Sequence, residues 1–209
     1  MPAVTTTRVP GRTALQGWLA WVTATVGGGS LGMVLGAIGG WLMMLPFVLV
    51  PPTPGSTSMI PTVAQWLSST VVLAFVAAGI ATGQAIVLEV WLGRRIRMPW
   101  IVATTVAWIV GALVTGAVQN WLPGIVGFLF LKLIFGAVVG AGQIAVLKRE
   151  LPVSNVWIGV SAVSLLVAES LSLTGMTLSI LMVPASALIY GALSGPGIVW
   201  TVLGQLHAP

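Results

Sequence analysis

The chain alternates between long apolar runs and short polar breaks. Six runs are long enough to cross about 30 Å of hydrocarbon as helices, since each helical residue adds about 1.5 Å. The runs cover residues 15–45, 66–92, 99–119, 123–147, 155–173 and 177–203. This pattern predicts an all-α integral membrane protein, a single transmembrane domain over residues 1–209 with six transmembrane helices.

The breaks between the runs contain the residues that commonly end helices. The longest break, 46–65, contains Pro51, Pro52, Pro54 and Pro61, and we expect it to be an external Pro-rich loop. Residues 1–13 are expected to be an N-terminal tail. The first apolar run, from Ala14 to Val50, would be about 55 Å long as one helix, so it must tilt, bend or project from the membrane.

Composition supports the membrane assignment and limits the possible functions. Hydrophobic residues make up 57% of the chain and charged residues 5%, too few charges to cover a soluble domain of this size. One histidine, three carboxylates and no cysteine leave most catalytic arrangements without their groups. The G-x-S-x-G and H-E-x-x-H motifs are also absent. The sequence therefore predicts a protein that is not an enzyme, and it identifies no cofactor.

The basic residues predict an orientation. With six spans, seven of the eight fall on one side of the membrane, and the breaks on the other side carry none: Arg8, Arg12, Arg94, Arg95, Arg97, Lys148 and Arg149. The positive-inside rule then places both termini in the cytoplasm, in a bacterial-type inner membrane or an intracellular membrane derived from one. The same distribution favours membrane lipids, and not nucleic acid, as partners.

Three segments repeat one another. Residues 77–88 read AAGIATGQAIVL, residues 136–147 read GAVVGAGQIAVL, and residues 191–203 read GALSGPGIVWTVL. The first two align through Gln84 and Gln143, whereas the third keeps the glycines and has Ile198 at the glutamine position. A fainter repeat relates WLAWVTAT at 18–25 to WIVATT at 100–105. These repeats predict three tandem helical hairpins, 15–92, 99–147 and 155–203, in one common orientation.

The repeated pattern G-x-x-x-G-x-G-Q-x-x-V-L resembles an uncharacterised family of bacterial polytopic membrane proteins with recurring glycine-glutamine hairpins. The resemblance covers most of residues 66–203. In that family the glutamine is usually followed by tryptophan, and the apolar stretch by paired arginines. Here Ala85 and Ile144 follow the glutamines, and Arg94-Arg95 or Lys148-Arg149 supply the basic end. The resemblance implies a polytopic membrane protein and no particular activity.

Glycines spaced four residues apart mark bare stripes on three helices: Gly28, Gly32, Gly36 and Gly40, then Gly136 and Gly140, then Gly191 and Gly195. Bare stripes let helix backbones approach closely where lipid gives no hydrophobic drive for association. Two interpretations are open. The stripes pack the helices of this chain together, or they face lipid and dock another membrane subunit.

Gln84 and Gln143 occupy matched positions within apolar helices. Amides in such helices need partners, although each interhelical hydrogen bond gains only about 0.6 kcal/mol on average. They either clamp neighbouring helices or line a polar pocket. Such a pocket would bind a headgroup, a solute or the metal of a tetrapyrrole.

Lys132 and Glu169 are ionisable residues inside predicted spans. Insertion of a central charge costs about 2.5–3.5 kcal/mol, so these residues are the strongest candidates for function. They form a structural ion pair, reach the interface separately by snorkelling, or bind a transported ion, proton or ligand. Hydroxyl groups make the fifth helix unusually polar and favour its facing protein or water: Ser161, Ser164, Ser170, Ser172 and Thr174.

Two functional hypotheses follow. The first is a non-catalytic accessory or scaffold protein that packs into a larger assembly of integral membrane subunits through its glycine-rich faces. The second is a transporter of a small solute, ion or lipid, with a polar pathway between the repeats past Gln84, Gln143, Lys132 and Glu169.

Overall fold

The computed structural model describes residues 13–49, 60–92, 96–151, 153–170 and 179–206. Its secondary structure there is helical and consists of α1 (Ala14–Leu49), α2 (Ile60–Leu92), α3 (Arg97–Val118), the 3₁₀ turn Gln119–Trp121, α4 (Gly124–Glu150), α5 (Val156–Ser170) and α6 (Ser179–Leu206). Five of these helices are long and apolar enough to cross a membrane, and α5 is an apolar helix of 15 residues. The chain is therefore an all-helical, multi-pass membrane protein.

The predicted external loop 46–65 is wrong at both ends. Helix α1 continues to Leu49 and α2 already begins at Ile60, so residues 46–49 and 60–65 are helical. Pro61 lies in the first turn of α2, where backbone N–H groups have no acceptor within the helix. Pro46 lies in the last turn of α1. Pro46 and Pro61 therefore both lie within helices, each near one end of its helix.

Helix α1 begins at a capping box. The Thr13 hydroxyl accepts a hydrogen bond from the Gln16 backbone N–H at 3.3 Å, and the Gln16 side-chain oxygen accepts one from the Thr13 backbone N–H at 3.2 Å. This reciprocal pair satisfies two backbone donors at the start of the helix. The rest of the predicted tail 1–13 lies outside the described residues.

The six helices form a closed ring. Each helix packs against the next one in the chain, and α6 returns to pack against α1. Trp21 of α1 contacts Trp91 of α2, Trp100 of α3 and Trp157 of α5. These contacts bring the beginnings of α1, α3 and α5 close to the last turn of α2. We call this the basic end, because the described residues Arg97, Lys148 and Arg149 lie there.

The glycine stripe of α1 faces α2. A Cβ atom added at Gly28 would overlap the carbonyl oxygen of Gly79, and one added at Gly32 would overlap that of Phe75. Gly36 and Gly40 continue the same interface against Val72 and Ser68 of α2. The stripe is therefore covered within the chain, and its lack of side chains allows the two backbones to touch.

The other glycine pairs also face helices of this chain. A Cβ atom at Gly136 would lie 2.6 Å from the Ala162 Cα of α5, and one at Gly140 would lie 2.9 Å from the Ile158 Cα. On α6, Gly191 and Gly195 face Thr25 and Trp18 of α1. These glycines therefore close two further junctions of the ring, α4 with α5 and α6 with α1.

A proline and a tryptophan fix the junction of α6 with α1. Pro196 lies inside α6 and has no backbone N–H, so it cannot bond the carbonyl of Ala192 four residues earlier. The Trp18 indole of α1 donates to that carbonyl oxygen at 3.0 Å. Trp18 therefore replaces the hydrogen bond that Pro196 removes from α6.

We predict that Trp18→Phe lowers the free energy of unfolding by about 1–2 kcal/mol, because it leaves the Ala192 carbonyl without a donor. Pro196→Ala restores an N–H within α6. In the Pro196→Ala protein, Trp18→Phe should therefore lower the free energy of unfolding by clearly less. Unfolding of the four proteins of this double-mutant cycle in detergent measures both values. Equal costs of Trp18→Phe in the two backgrounds would show that the indole does not serve the carbonyl freed by Pro196.

Candidate functional site

Four tryptophans fill the axis of the ring near the basic end. Trp21 stacks on Trp91 with the ring centroids 6.3 Å apart, and it meets Trp100 and Trp157 edge to face at 6.3 and 6.4 Å. All four side chains are buried. Aromatic pairs prefer these stacked and edge-to-face arrangements, so this tryptophan layer closes the axis with tightly packed rings.

Next to the tryptophan layer lies a layer of buried polar side chains, which we call the polar layer. Its members come from all six helices and are Thr25, Gln84, Thr104, Gln143, Ser161, Tyr190 and Ser194. Each of the three hydroxyl residues on α1, α3 and α5 follows a tryptophan of the first layer by four residues, one helical turn. The two glutamines predicted from the repeat therefore lie in one buried polar environment.

Hydrogen bonds between helices tie the two layers together. The Gln84 amide nitrogen donates to the Thr25 hydroxyl at 3.2 Å, and the Trp157 indole donates to the Gln143 side-chain oxygen at 3.0 Å. The Tyr190 hydroxyl donates to the same Gln143 oxygen at 3.4 Å. Both glutamines thus clamp neighbouring helices, as one of the two sequence interpretations proposed.

Some polar atoms of the polar layer form no hydrogen bond. Among the described residues, four atoms of this layer are buried without a hydrogen-bond partner: Gln84 Oε1, Thr104 Oγ1, Gln143 Nε2 and Ser161 Oγ. A buried polar group without a partner costs about 1–3 kcal/mol. These atoms therefore give the layer a capacity to bind that its own side chains do not fill.

A recurring pattern in the sequence marks these two layers. The pentapeptides WVTAT at 21–25, WIVAT at 100–104 and WIGVS at 157–161 share a tryptophan followed, four residues later, by a hydroxyl residue. The faint repeat in the sequence relates WLAWVTAT at 18–25, which contains two tryptophans, to WIVATT at 100–105. In the structure Trp21 is the residue that meets Trp100, and Trp18 contacts α6.

A cavity of about 320 Å³ lies on the other side of the polar layer, in the half of the ring remote from the basic end. Its lining comes from α2, α3, α5 and α6 and is mostly apolar, with Leu73, Val76 and Val183 among its walls. The lining is exposed at Ser69 and fully buried at Tyr190. The cavity therefore extends from the exposed Ser69 to the buried Tyr190, a member of the polar layer.

Lys132 of α4 and Glu169 of α5 form an ion pair. The Lys132 amine lies 2.9 Å from the Glu169 carboxylate, and each side chain is 27% exposed. The amine also lies 5.2 Å from the centre of the Phe128 ring, a cation–π distance. The structure thus brings together the two ionisable residues that the sequence singled out.

The ion pair lies between two spaces. Glu169 lines the cavity, whereas Lys132 lines a second crevice of about 390 Å³ at the turn between α3 and α4. Because the two charges neutralise each other, the Glu169 carboxylate gives the cavity wall a polar group without adding net charge.

Other polar residues have simpler roles. Glu89 pairs with Arg97 at 2.6 Å near the basic end, and Arg94 and Arg95 lie outside the described residues. Ser161 and Ser164 of α5 are buried, as expected for a helix that faces protein, while Ser172 and Thr174 lie outside the described residues. No group of three His, Asp or Glu side chains suited to a metal ion occurs in the described part of the chain.

Comparison of the chain with protein-family models, with curated proteins and with solved structures finds no match. The resemblance to the glycine-glutamine family therefore stays a prediction from the sequence.

We predict that Lys132→Met and Glu169→Gln each lower the free energy of unfolding and that their effects couple by about 1–2 kcal/mol. This value lies between the small contribution of exposed ion pairs and the 3–5 kcal/mol cost of breaking a buried one, as suits a partly exposed pair. A double-mutant cycle in detergent measures the coupling. Lys148→Met, which removes an exposed hydrogen bond to Asn155, serves as the control and should change stability little. Additive effects of the two changes would contradict a stabilising ion pair.

Proposed function

We propose that this chain is a membrane transporter for a small solute, which moves along the axis of the ring. Two observations carry the proposal: the cavity reaches Tyr190 of the polar layer, and buried atoms of that layer lack hydrogen-bond partners among the described residues. A protein that serves only to pack against others gains nothing from buried polar atoms without partners, because each one destabilises it. A transporter requires such groups, since the solute completes their hydrogen bonds in passing.

The two halves of the ring differ as the open and the closed end of a transport route would. The cavity admits a solute from the end remote from the basic turns, and the tryptophan layer blocks passage at the basic end. The solute would cross when the tryptophans part and the cavity half closes. Opening the layer would break the hydrogen bond from the Trp21 indole to Ser194 of α6, at 3.1 Å, and separate Trp21 from the other three rings.

The proposed transporter has six spans arranged as three tandem hairpins, with the basic end in the cytoplasm of a bacterial-type cell. Matched glycines support the repeat. Gly83, Gly142 and Gly197 each face the other helix of their own hairpin, at Ala24, Ala103 and Val160. Transporters commonly place their binding site where such repeats meet. The described basic residues Arg97, Lys148 and Arg149, which lie at one end of the ring, support the orientation.

Single cysteines test the proposal without further changes, because the chain has no cysteine of its own. We predict that Val183→Cys, in the cavity, reacts with a membrane-impermeant maleimide added at the face remote from the basic turns. Leu147→Cys, which is fully buried beside the tryptophan layer, should react more slowly and from the basic face. Both reactions require water at the thiol, since the thiolate is the reacting form.

Val167→Cys provides the control, because this residue points outward from α5 and should meet lipid. It should stay unreactive from either face. If Leu147→Cys is inert from both faces while Val183→Cys reacts from one, the cavity is a blind pocket and the transport proposal is wrong.

The accessory role remains a second candidate because of the length of α1. This helix of 36 residues is about 54 Å long, well beyond the hydrocarbon thickness, and its far end exposes Trp41 and Leu49. A partner subunit would cover that apolar surface. The glycine stripes no longer argue for docking, because they are covered within the chain. An axis closed to water from both faces in the cysteine experiment would favour this role.

A further inference from the structure

The charge on the cavity wall is negative. Among the described residues that line the cavity, Glu169 is the only Asp, Glu, Lys or Arg. The chain has two other carboxylates, Glu89 and Glu150, and both lie at the basic end, beside Arg97 and Arg149. The Glu169 side chain is 27% exposed, so a molecule that fills the cavity touches it. The cavity therefore presents a carboxylate to a solute.

The positive partner of Glu169 belongs to the crevice and not to the described lining of the cavity. The Lys132 amine reaches the carboxylate at 2.9 Å, and the same side chain lines the crevice at the turn between α3 and α4. Gln119 and Asn120, both exposed, add amide groups to that crevice. The flexible lysine can therefore turn its amine away from Glu169 and keep it hydrated in the crevice.

The rest of the lining suits an apolar body. Leu73, Val76 and Val183 supply aliphatic walls, and Trp108 and Tyr190 supply aromatic rings. Apolar walls with a few polar groups are typical of sites for small organic molecules, and a volume of about 320 Å³ is enough for one. Aromatic rings add an attraction for cations.

Exchange of counter-ions favours a cation over the other charge types. A cationic group that replaces the Lys132 amine at Glu169 leaves a neutral ion pair in the cavity, and the displaced amine regains hydration in the crevice. An anion would meet the Glu169 carboxylate as a like charge, which is unfavourable where little water is present. An uncharged solute would gain no counter-charge from Glu169.

We infer that the solute is an organic cation with an apolar body, such as a protonated arylalkylamine, and that its charged group competes with Lys132 for Glu169. The body occupies the cavity between α2, α3, α5 and α6. This inference rests on the proposed function and names the substrate class of the same cavity.

Three probes with the same two-ring body test the charge of the solute: 2-naphthylmethylamine is a cation at neutral pH, 2-naphthylmethanol is uncharged, and 2-naphthoate is an anion. Equilibrium dialysis of the full chain in a mild nonionic detergent measures their binding, and protein-free detergent corrects for uptake into micelles. We expect the amine to bind about threefold more tightly than the alcohol, because exchange of one ammonium for another nearly balances and the aromatic rings add an attraction. The naphthoate should bind most weakly.

The two halves of the ion pair should affect amine binding in opposite directions. Lys132→Met removes the competing amine, so the affinity for 2-naphthylmethylamine should rise by about tenfold. Glu169→Gln removes the counter-charge and keeps the lysine, so the same affinity should fall by about tenfold. Binding of the alcohol should change in neither variant. Lys148→Met, which removes a lysine at the basic end, is the matched control and should bind all probes as the unchanged chain does.

The opposite directions separate competition from a disturbed fold, because loss of the cavity would lower the affinity for both the amine and the alcohol. If Glu169→Gln does not fold, the Lys132→Met, Glu169→Gln protein replaces it, since this variant removes both charges together. It should bind the amine no more tightly than the alcohol.

Each outcome decides a separate question. Equal binding of the amine and the alcohol by the unchanged chain, preference for 2-naphthoate, no binding of any probe, or a lower affinity for the amine in Lys132→Met would overturn the substrate class. The transport proposal would still stand if Val183→Cys and Leu147→Cys react from opposite faces. Conversely, a preference for the amine in a chain whose Leu147→Cys is inert would support the ligand class and remove transport.

Discussion

Hydrogen bonds of indoles and amides buried on the axis join neighbouring helices and hold the ring of six helices in register, although the buried Trp100 indole has no hydrogen-bond partner among the described residues. Trp21 bonds across to Ser194 of α6, Gln84 bonds to Thr25 of α1, and Trp157 bonds to the amide of Gln143. Each bond joins neighbours in the ring. A helix that shifted by one turn would leave several of these groups unpaired in a medium without water, where an unpaired group is costly.

Glycines set the distance over which these bonds can form. Where α1 meets α2, the backbones touch at Gly28 and Gly79, so there is no room for a side chain between them. Close contact at this interface draws Thr25 within reach of Gln84 on the same pair of helices. The small residues and the buried polar residues therefore act together: the first bring helices close, and the second choose their register.

The axis is filled unevenly, and this unevenness creates the candidate site. Near the basic end, four tryptophans occupy the space, whereas beyond the polar layer the inward positions include the smaller residues Val76, Ala168 and Ala187, which line the cavity. These smaller residues line the cavity together with Trp108, and Tyr190 is the member of the polar layer that reaches it. The Lys132–Glu169 pair adds a neutral polar wall at the side where the lining becomes exposed.

Much of this architecture was predictable from sequence, because length and hydropathy determine which segments suit a membrane. The helices and the matched glutamines follow from the local pattern, and Lys132 and Glu169 stood out by the cost of burying charge. Sequence could not show which way the glycine stripes face, since that depends on the neighbouring helix. The bond from Trp18 to the carbonyl freed by Pro196 joins residues at opposite ends of the chain. The cavity was also hidden, because its volume depends on the packing of four helices.

A disulfide across the junction of α1 and α6 tests the closed ring most directly. A Cβ atom at Gly29 would lie 3.1 Å from the Ala187 Cβ, close to the spacing of about 3.5–4.5 Å found in disulfides. Mild oxidation of the Gly29→Cys, Ala187→Cys protein in membranes should therefore cross-link it, with a faster-migrating band in electrophoresis. Gly27 faces open space, so the Gly27→Cys, Ala187→Cys protein should stay reduced. No cross-link between positions 29 and 187, or an equal yield from the control pair, would contradict the closed ring.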